Sequence, residues 1–374
     1  VISVPYSAAI VAHEHMKVYG YVGIINVLLK LAIVYLLLII PFDKLTTYAF
    51  LLLLVNVIQR CYYTYYCKKH FEECRSKEST HDTDSKGIMK QMFSFAGWSF
   101  VGYMGTSVRD QGLNIILNLF FNVTMNAAKG IANQVSAALN GLSGNFLMAI
   151  IPQIIKSYAA GDISGMTQLV IRGCRISILL ISMIAIPVAI CCREILTIWL
   201  GSIEDASIWF VRIALGVLII DSATNPITTA QQATGKIRVI TIITSIITVL
   251  CLPAAWIWLK YFELNPYSVA WVTLCSSCLI LIPRIIILQH EIGFNISSFI
   301  SSIFARTLPA LILAFIAEYS LYKINYFHTG IFPIIVYLIT GCIIYISLAA
   351  LTLTKGERNA IINLISKKLR KTGN

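Results

Sequence analysis

Long apolar runs separated by short polar stretches follow one another along most of the chain. Runs of roughly 18 or more mostly apolar residues are long enough to cross a bilayer as helices. We therefore predict an all-α, polytopic membrane protein. The pattern predicts eleven membrane segments, the first of them short, near residues 1–12, 20–41, 45–66, 95–121, 127–155, 168–191, 207–229, 238–259, 266–289, 303–321 and 330–352.

The overall composition points the same way. Of the 374 residues 57% are hydrophobic and only 12% are charged, and the mean hydropathy is +0.78. A soluble domain carries about twice that share of charged residues. The chain opens on Val1 with no initiator Met, and we expect further helices upstream of it.

Basic residues indicate the orientation, because Lys and Arg are retained on the cytoplasmic side. Most of the 29 Lys and Arg fall on one side of the predicted segments, in alternate connections that we take to include Arg284, and in the tail after residue 355. This predicts a cytoplasmic C-terminus. It also explains the net charge of +12 without a nucleic-acid partner.

Other charged residues and the cysteines are not expected to form a site. Arg60, Arg212 and Glu318 lie near predicted helix ends, where we expect their charged groups to reach the membrane surface. The ten cysteines show no metal-ligand spacing, and neither a metal site nor a catalytic residue is predicted.

Two neighbouring segments carry polar stripes in spite of their apolar surroundings. The first contains adjacent charges, Arg109 and Asp110, in GTSVRDQGLNIILNLFFN. Side chains spaced by four residues share one side of a helix, and a charge at the bilayer centre costs about 2.5 to 3.5 kcal/mol. These sides must therefore meet water or protein. The stripes comprise Thr106, Asp110, Asn114, Asn118 and Asn122 in one helix, and Lys129, Asn133, Ser136 and Asn140 in the next.

Further charges lie inside other apolar segments. Lys30 is in mid-helix, and Asp221 is followed by Asn225 and Pro226; a proline there frees backbone carbonyls, as at ion sites of transporters. One interpretation is a hydrated cavity whose mixed charges suit a ligand with an anionic group and many hydroxyls. The alternative is that the polar groups only bridge helices or pair with one another.

Two blocks of the sequence resemble a known family. The block QGLNIILNLFFNVTMNAAKGIANQVSAALNGLSGNFLMAIIPQIIKSYAAGD, 111–162, closely resembles the central signature of O-antigen and polysaccharide flippases of the MATE-like (MOP) exporter superfamily, and DSATNPITTAQQATGKIRVI, 221–240, resembles a later helix of that family. Asn122 stands where the family usually has a glycine.

The resemblance implies a fold of about fourteen helices, in two pseudo-symmetric lobes plus a final helix pair. The eleven segments correspond to the fourth helix through the last, so the N-terminal lobe is incomplete. The implied division is 1–66 for the rest of the N-terminal lobe, 67–94 for a cytoplasmic linker, 95–300 for the C-terminal lobe, 301–354 for the final pair and 355–374 for a basic amphipathic tail on the inner leaflet.

The implied activity is movement of an oligosaccharide on undecaprenyl pyrophosphate from the inner to the outer leaflet of the bacterial inner membrane, by alternating access. This would serve the biosynthesis of O-antigen, capsule or exopolysaccharide. Expected partners are this lipid-linked oligosaccharide, membrane lipids and other polysaccharide-assembly proteins, with no cofactor beyond a coupling proton or Na⁺. The cavity residues would be Arg109, Lys129, Lys30, Asn114, Asn118, Asn133, Ser136 and Asn140, and the ion-coupling candidates Asp110, Asp221 and Asn225.

Two other functions compete with this one. A MATE-type drug or cation antiporter of the same fold would have a more acidic and aromatic cavity than these stripes. A membrane-embedded glycan polymerase or ligase would gather acids, or Arg and His, on a large outer loop. His328 is the only histidine on the predicted outer side, which argues against the enzyme.

Overall fold

The computed structural model describes residues 4–13, 15–39, 43–74, 85–262, 265–324 and 331–352. Every regular element in these ranges is helical, and nine of the helices are long and apolar enough to cross a membrane. The prediction of an all-helical chain with multi-pass membrane character is confirmed at this level.

The chain forms two compact units, Val1–Met89 and Lys90–Asn374. The boundary falls within the segment 67–94 that we expect to be a linker; residues 75–84 of that segment, and the tail 355–374, lie outside the described residues. The helices up to the boundary are α1 (Val4–Ala12), α2 (Met16–Ile39) and α3 (Lys44–His70), followed by a 3₁₀ turn at Glu72–Cys74.

The second unit is built from ten helices among its described residues. They are α4 (Ser85–Phe120, which begins just before the boundary), α5 (Val123–Ala159), α6 (Ile163–Ile190), α7 (Cys192–Leu200), α8 (Asp205–Thr234), α9 (Arg238–Phe262), α10 (Ser268–Ile292), α11 (Ile296–Ile300), α12 (Leu308–Ile324) and α13 (Ile331–Thr352), with a π-helical turn, Ser301–Thr307, before α12.

Each of the eleven predicted segments corresponds to a helix, and the first is short, as expected. Helix α1 has nine residues and is therefore only about 14 Å long, half of the hydrocarbon thickness. Helix α4 has 36 residues and starts at Ser85 instead of residue 95. It is not among the nine apolar spans, since its polar stripe lowers its mean hydropathy.

Side-chain caps define where two of the long helices begin. Asp43 accepts from the backbone N–H groups of Leu45 and Thr46 at the start of α3. Together with the Thr46 hydroxyl, the largest contributor, these bonds lower the pKa of Asp43. Asn122 caps α5 by accepting from the Met125 N–H, with extended backbone at φ −134°. Asn122 thus needs none of the conformational freedom of the family's glycine, and its side chain supplies a cap.

Helix α6 forms the centre of the second unit. It contributes to three buried clusters: one with α4, α5, α8, α9 and α10, one with α5, α8 and α10, and one with α12 and α13. Helix α6 thus packs against most of the other helices of the second unit.

Candidate functional site

Two cavities lie inside the second unit. The first, which we call the charged cavity, has a volume of about 370 Å³ between α4, α5, α8 and α10; the second, the hydroxyl-lined cavity, has about 430 Å³ and is bordered largely by α4, α8, α9 and α10. Both volumes fall in the range typical of small-ligand sites. Three residues line both cavities: Arg109, Asn140 and Asp221. The two spaces therefore adjoin at these side chains.

The charged cavity brings the two predicted stripes together. The Lys129 Nζ donates to Asn114 Oδ1 at 2.8 Å and to the Asp110 carbonyl at 3.2 Å. Arg109 Nε donates to Asp110 Oδ1 at 3.0 Å. The Asn126 amide also donates to the Asn114 carbonyl, at 3.1 Å. These bonds hold α5 against α4, and they compensate part of the cost of charges inside an apolar bundle.

Asp221 on α8 is exposed to both cavities. The positive charges of Arg109 and Arg284 act on its carboxylate, and the Ser277 side chain interacts with it. A carboxylate that feels two positive charges can also attract a small cation, and its interactions change when a charged ligand enters. Asp221 is thus the acidic group best placed to respond to what occupies either cavity.

The hydroxyl-lined cavity is rich in threonine. Thr224 and Thr228 on α8 donate to the carbonyls of Ile220 and Thr224 at 3.0 Å, and Thr244 on α9 donates to Ile240 at 2.8 Å. Each of these hydroxyl groups donates its proton to a backbone carbonyl of its own helix. Its oxygen can therefore still accept a hydrogen bond from a ligand in the cavity. The Ser245 hydroxyl has no hydrogen-bond partner among the described residues. This lining suits a ligand with many hydroxyl donors.

The position of Arg284 differs from the one that we expected from its charge. We expected it in a cytoplasmic connection, but α10 continues to Ile292 and Arg284 lines the hydroxyl-lined cavity. It exchanges two hydrogen bonds with Gln231 of α8, one from Arg284 Nη1 to the side-chain oxygen and one from the Gln231 amide to the Arg284 carbonyl, both 2.9 Å. Only Nη1 of the guanidinium takes part in these bonds, so Nη2 retains its donors for an anion.

The remaining predicted site residues are spread more widely. Asn133 and Ser136 line the charged cavity, and Asn225 lines the hydroxyl-lined cavity. Asn118 is exposed on α4 outside the residues that line either space. Lys30 is exposed on α2 in the first unit, whereas both cavities are lined by residues of the second unit. We expected one cavity between two lobes, and the two spaces described here lie within one unit.

Two charged residues expected to reach the membrane surface have contacts with other helices. Glu318 is fully buried, although it lies only six residues before the end of α12. Arg212 donates to the Ala189 carbonyl at 2.9 Å and lies over the Trp209 ring. A charged group near a helix end can reach the membrane surface only where no other helix covers that end. The sequence does not show which helix ends are covered.

Among the described residues, no group of three or more His, Cys, Asp and Glu side chains is arranged to hold a metal ion. Comparisons of the chain with protein-family models, with curated proteins and with solved structures gave no match.

Proposed function

We propose that this protein transports an undecaprenyl-pyrophosphate-linked oligosaccharide across the bacterial inner membrane by alternating access, in the manner of the MATE-like polysaccharide flippases that its sequence resembles. The observation that carries the proposal is the pair of adjoining polar cavities inside a bundle of apolar helices. A glycan that crosses the bilayer needs polar surface along its path, because the hydrocarbon region offers no hydrogen-bond partners for its hydroxyl groups.

The chemistry of the two cavities matches the two parts of such a substrate. Arg109, Lys129 and Arg284 supply donors for phosphate oxygens, and the threonines and amides supply partners for sugar hydroxyls. These three basic residues outnumber the two acidic residues that line the same cavities, Asp110 and Asp221. This surplus favours an anionic ligand and disfavours a cationic drug.

The proposed transporter also has an orientation in the membrane and a coupling ion. The C-terminus would lie in the cytoplasm, in agreement with the distribution of Lys and Arg. Asp221 would couple transport to a proton or Na⁺, since it faces both cavities and the positive charges of Arg109 and Arg284 act on it.

The first test is to replace the bases in cells that lack the gene and to measure lipid-linked oligosaccharide reaching the outer leaflet. Arg109→Ala and Lys129→Ala should each lower this rate roughly tenfold or more, because a lost contact to a charged group is worth about 1.5–3 kcal/mol. The matched controls are Arg193→Ala and Lys260→Ala, outside both cavities. Normal transport by both cavity variants, at normal protein level, would remove their role.

A second test separates the flippase from the antiporter and probes the coupling residue. Asp221→Asn should leave transport insensitive to collapse of the ion gradient, whereas Asp205→Asn, exposed at the start of α8, should retain the wild-type sensitivity.

Cells that carry the wild-type gene should gain no protection against cationic dyes. Protection without any effect on the glycan would favour the antiporter.

A further inference from the structure

A carboxylic acid outside both cavities is enclosed where α6, α12 and α13 meet. Glu318 on α12 has 0% of its surface exposed. The buried cluster at this junction includes Leu179 and Ile186 of α6, Ala314 of α12 and Tyr337 of α13. The carboxyl group therefore lies in an apolar interior rather than at a membrane surface.

The backbone of α13 passes directly against this carboxyl group. A Cβ placed on Gly341 would lie 3.4 Å from the Glu318 carboxyl carbon and 3.5 Å from Oε2, and also 3.4 Å from the Pro187 Cβ of α6. Pro187 has no N–H to offer. A methyl group at this position would be in ordinary van der Waals contact, so the α13 backbone lies close to the carboxyl group. The absence of any exposed surface on Glu318 shows that no water-sized space adjoins this side chain.

Neither carboxyl oxygen of Glu318 has a hydrogen-bond partner among the described residues. The Tyr337 hydroxyl, which reaches α12, donates to the backbone carbonyl of Glu318 at 3.0 Å and not to its side chain. The ion pairs of the described residues do not include Glu318 either. Its charge, if present, would have no local compensation in this part of the chain.

Among the described residues, the titratable groups nearest to Glu318 are acidic or neutral. They are Tyr337, Cys342 and Tyr345 from α13, Cys191 at the junction of α6 and α7, Tyr322 on α12 itself, and Glu194 of α7, which accepts from the Tyr322 hydroxyl. Arg212 of α8 approaches this region, but its guanidinium donates to the carbonyls of Ala189 and Ile190.

An ionised carboxylate without water, donor or counter-ion costs several kcal/mol, far more than the neutral acid. We propose that Glu318 is a proton-binding site, which carries a proton while α6, α12 and α13 pack as they do here and releases it to water when these helices separate. The proton stays on a carboxyl oxygen in the packed arrangement. In the opened arrangement it passes to water and leaves a solvated carboxylate.

This inference does not depend on the proposed transport activity, because it concerns only the protonation of one side chain. If the protein is a transporter, however, a proton bound and released with movement of α12 and α13 is a means of coupling to a proton gradient. It would act at a site separate from Asp221.

The experiment is infrared spectroscopy of the purified full chain in lipid, at a pH where exposed carboxyl groups are fully ionised. Wild type should show the carbonyl band of a protonated carboxylic acid, and Glu318→Gln should remove it. Glu318→Asp should shift the band. Glu204→Gln, at an exposed position before α8, should leave it unchanged.

Identical spectra of wild type and Glu318→Gln in this region would overturn the proposal. Failure of Glu318→Gln to yield folded protein, where Glu204→Gln folds normally, would also contradict it, because glutamine is the closest neutral substitute for a protonated glutamate. The measurement needs no transport substrate, so either result leaves the proposed function to be judged by its own test.

Discussion

At the scale of single residues, Gln231 and Arg284 join α8 to α10 at the hydroxyl-lined cavity. Gln231 is 2% exposed and both of its side-chain polar atoms are used, one as acceptor from Arg284 Nη1 and one as donor to the Arg284 carbonyl. One of these bonds orients the Arg284 guanidinium group and the other ties Gln231 to the α10 backbone, so Gln231 limits the positions that the guanidinium group can take beside the cavity.

Replacing Gln231 by Ala should lower the free energy of unfolding by about 1–3 kcal/mol, because a buried guanidinium and a carbonyl each lose a partner. Gln232→Ala is the matched control, since the neighbouring Gln232 lines the same cavity but is exposed; its effect should stay within about 0.5 kcal/mol. Denaturant unfolding in detergent measures both. Equal losses of unfolding free energy in the two variants would show that the hydrogen bonds between Gln231 and Arg284 do not stabilise the fold.

Some of these residue contacts could be predicted and others could not. The four-residue spacing placed Asp110 and Asn114 on one side of α4, and that side does meet Lys129 of α5. The spacing could not reveal Arg284 as a cavity residue, because its position relative to Gln231 depends on how α8 and α10 pack. Glu318 was missed for the same reason, since its burial depends on α6 and α13.

At the scale of elements, α4 and α9 approach closely through glycines of α4. A Cβ on Gly105 would lie 3.3 Å from the Ser245 Cβ and 3.5 Å from its Cα, and a Cβ on Gly112 would lie within 2.6 Å of the Leu252 side chain. Small residues permit such approaches between membrane helices. The contact brings Thr241, Ser245 and Thr248 of α9 to the hydroxyl-lined cavity.

Gly105→Leu should therefore force α4 away from α9 and destabilise the fold by about 1–3 kcal/mol. Gly97→Leu on the same helix should be neutral or slightly stabilising, because nothing lies within 4 Å of a Cβ there and leucine favours helix more than glycine does. Thermal unfolding of both variants in the same detergent tests this. A Gly105→Leu protein as stable as Gly97→Leu would contradict the close contact.

Helices themselves were the easiest elements to predict, because length and hydropathy suffice for them. The polar side of α9 was not predicted, although its hydroxyls make up much of one cavity wall. Threonine and serine occur widely in apolar helices bonded to their own backbone, as Thr244 is to Ile240. These hydroxyls line a cavity only because of where the neighbouring helices lie. The spacing of residues within one helix does not show which helices are its neighbours.

At the scale of the whole molecule, the central feature is that the charged and hydroxyl-lined cavities adjoin at Arg109, Asn140 and Asp221. One helix can face both polar and apolar surroundings: Ser245 of α9 lines a cavity, while Ile246 next to it is 55% exposed on the surface of the unit. If that surface meets lipid and the cavities contain water, cysteines at these places will differ in reactivity, because the thiolate is the nucleophile that attacks a thiol reagent and it forms more readily in water than in lipid.

Cysteine substitution can test this distribution of water in membranes. Ser136→Cys in the charged cavity and Thr228→Cys in the hydroxyl-lined cavity should both react with a hydrophilic thiol reagent, and Ile246→Cys on the outer face of α9 should not. Peptide mapping by mass spectrometry separates the introduced thiols from the ten native cysteines. The two cavity positions should also differ in which side of the membrane gives them access, because the residues shared by the cavities lie between them. Reaction at Ile246→Cys as fast as at the cavity positions would mean that these spaces are no wetter than the lipid-facing surface, and the polar side chains would then serve only to hold helices together.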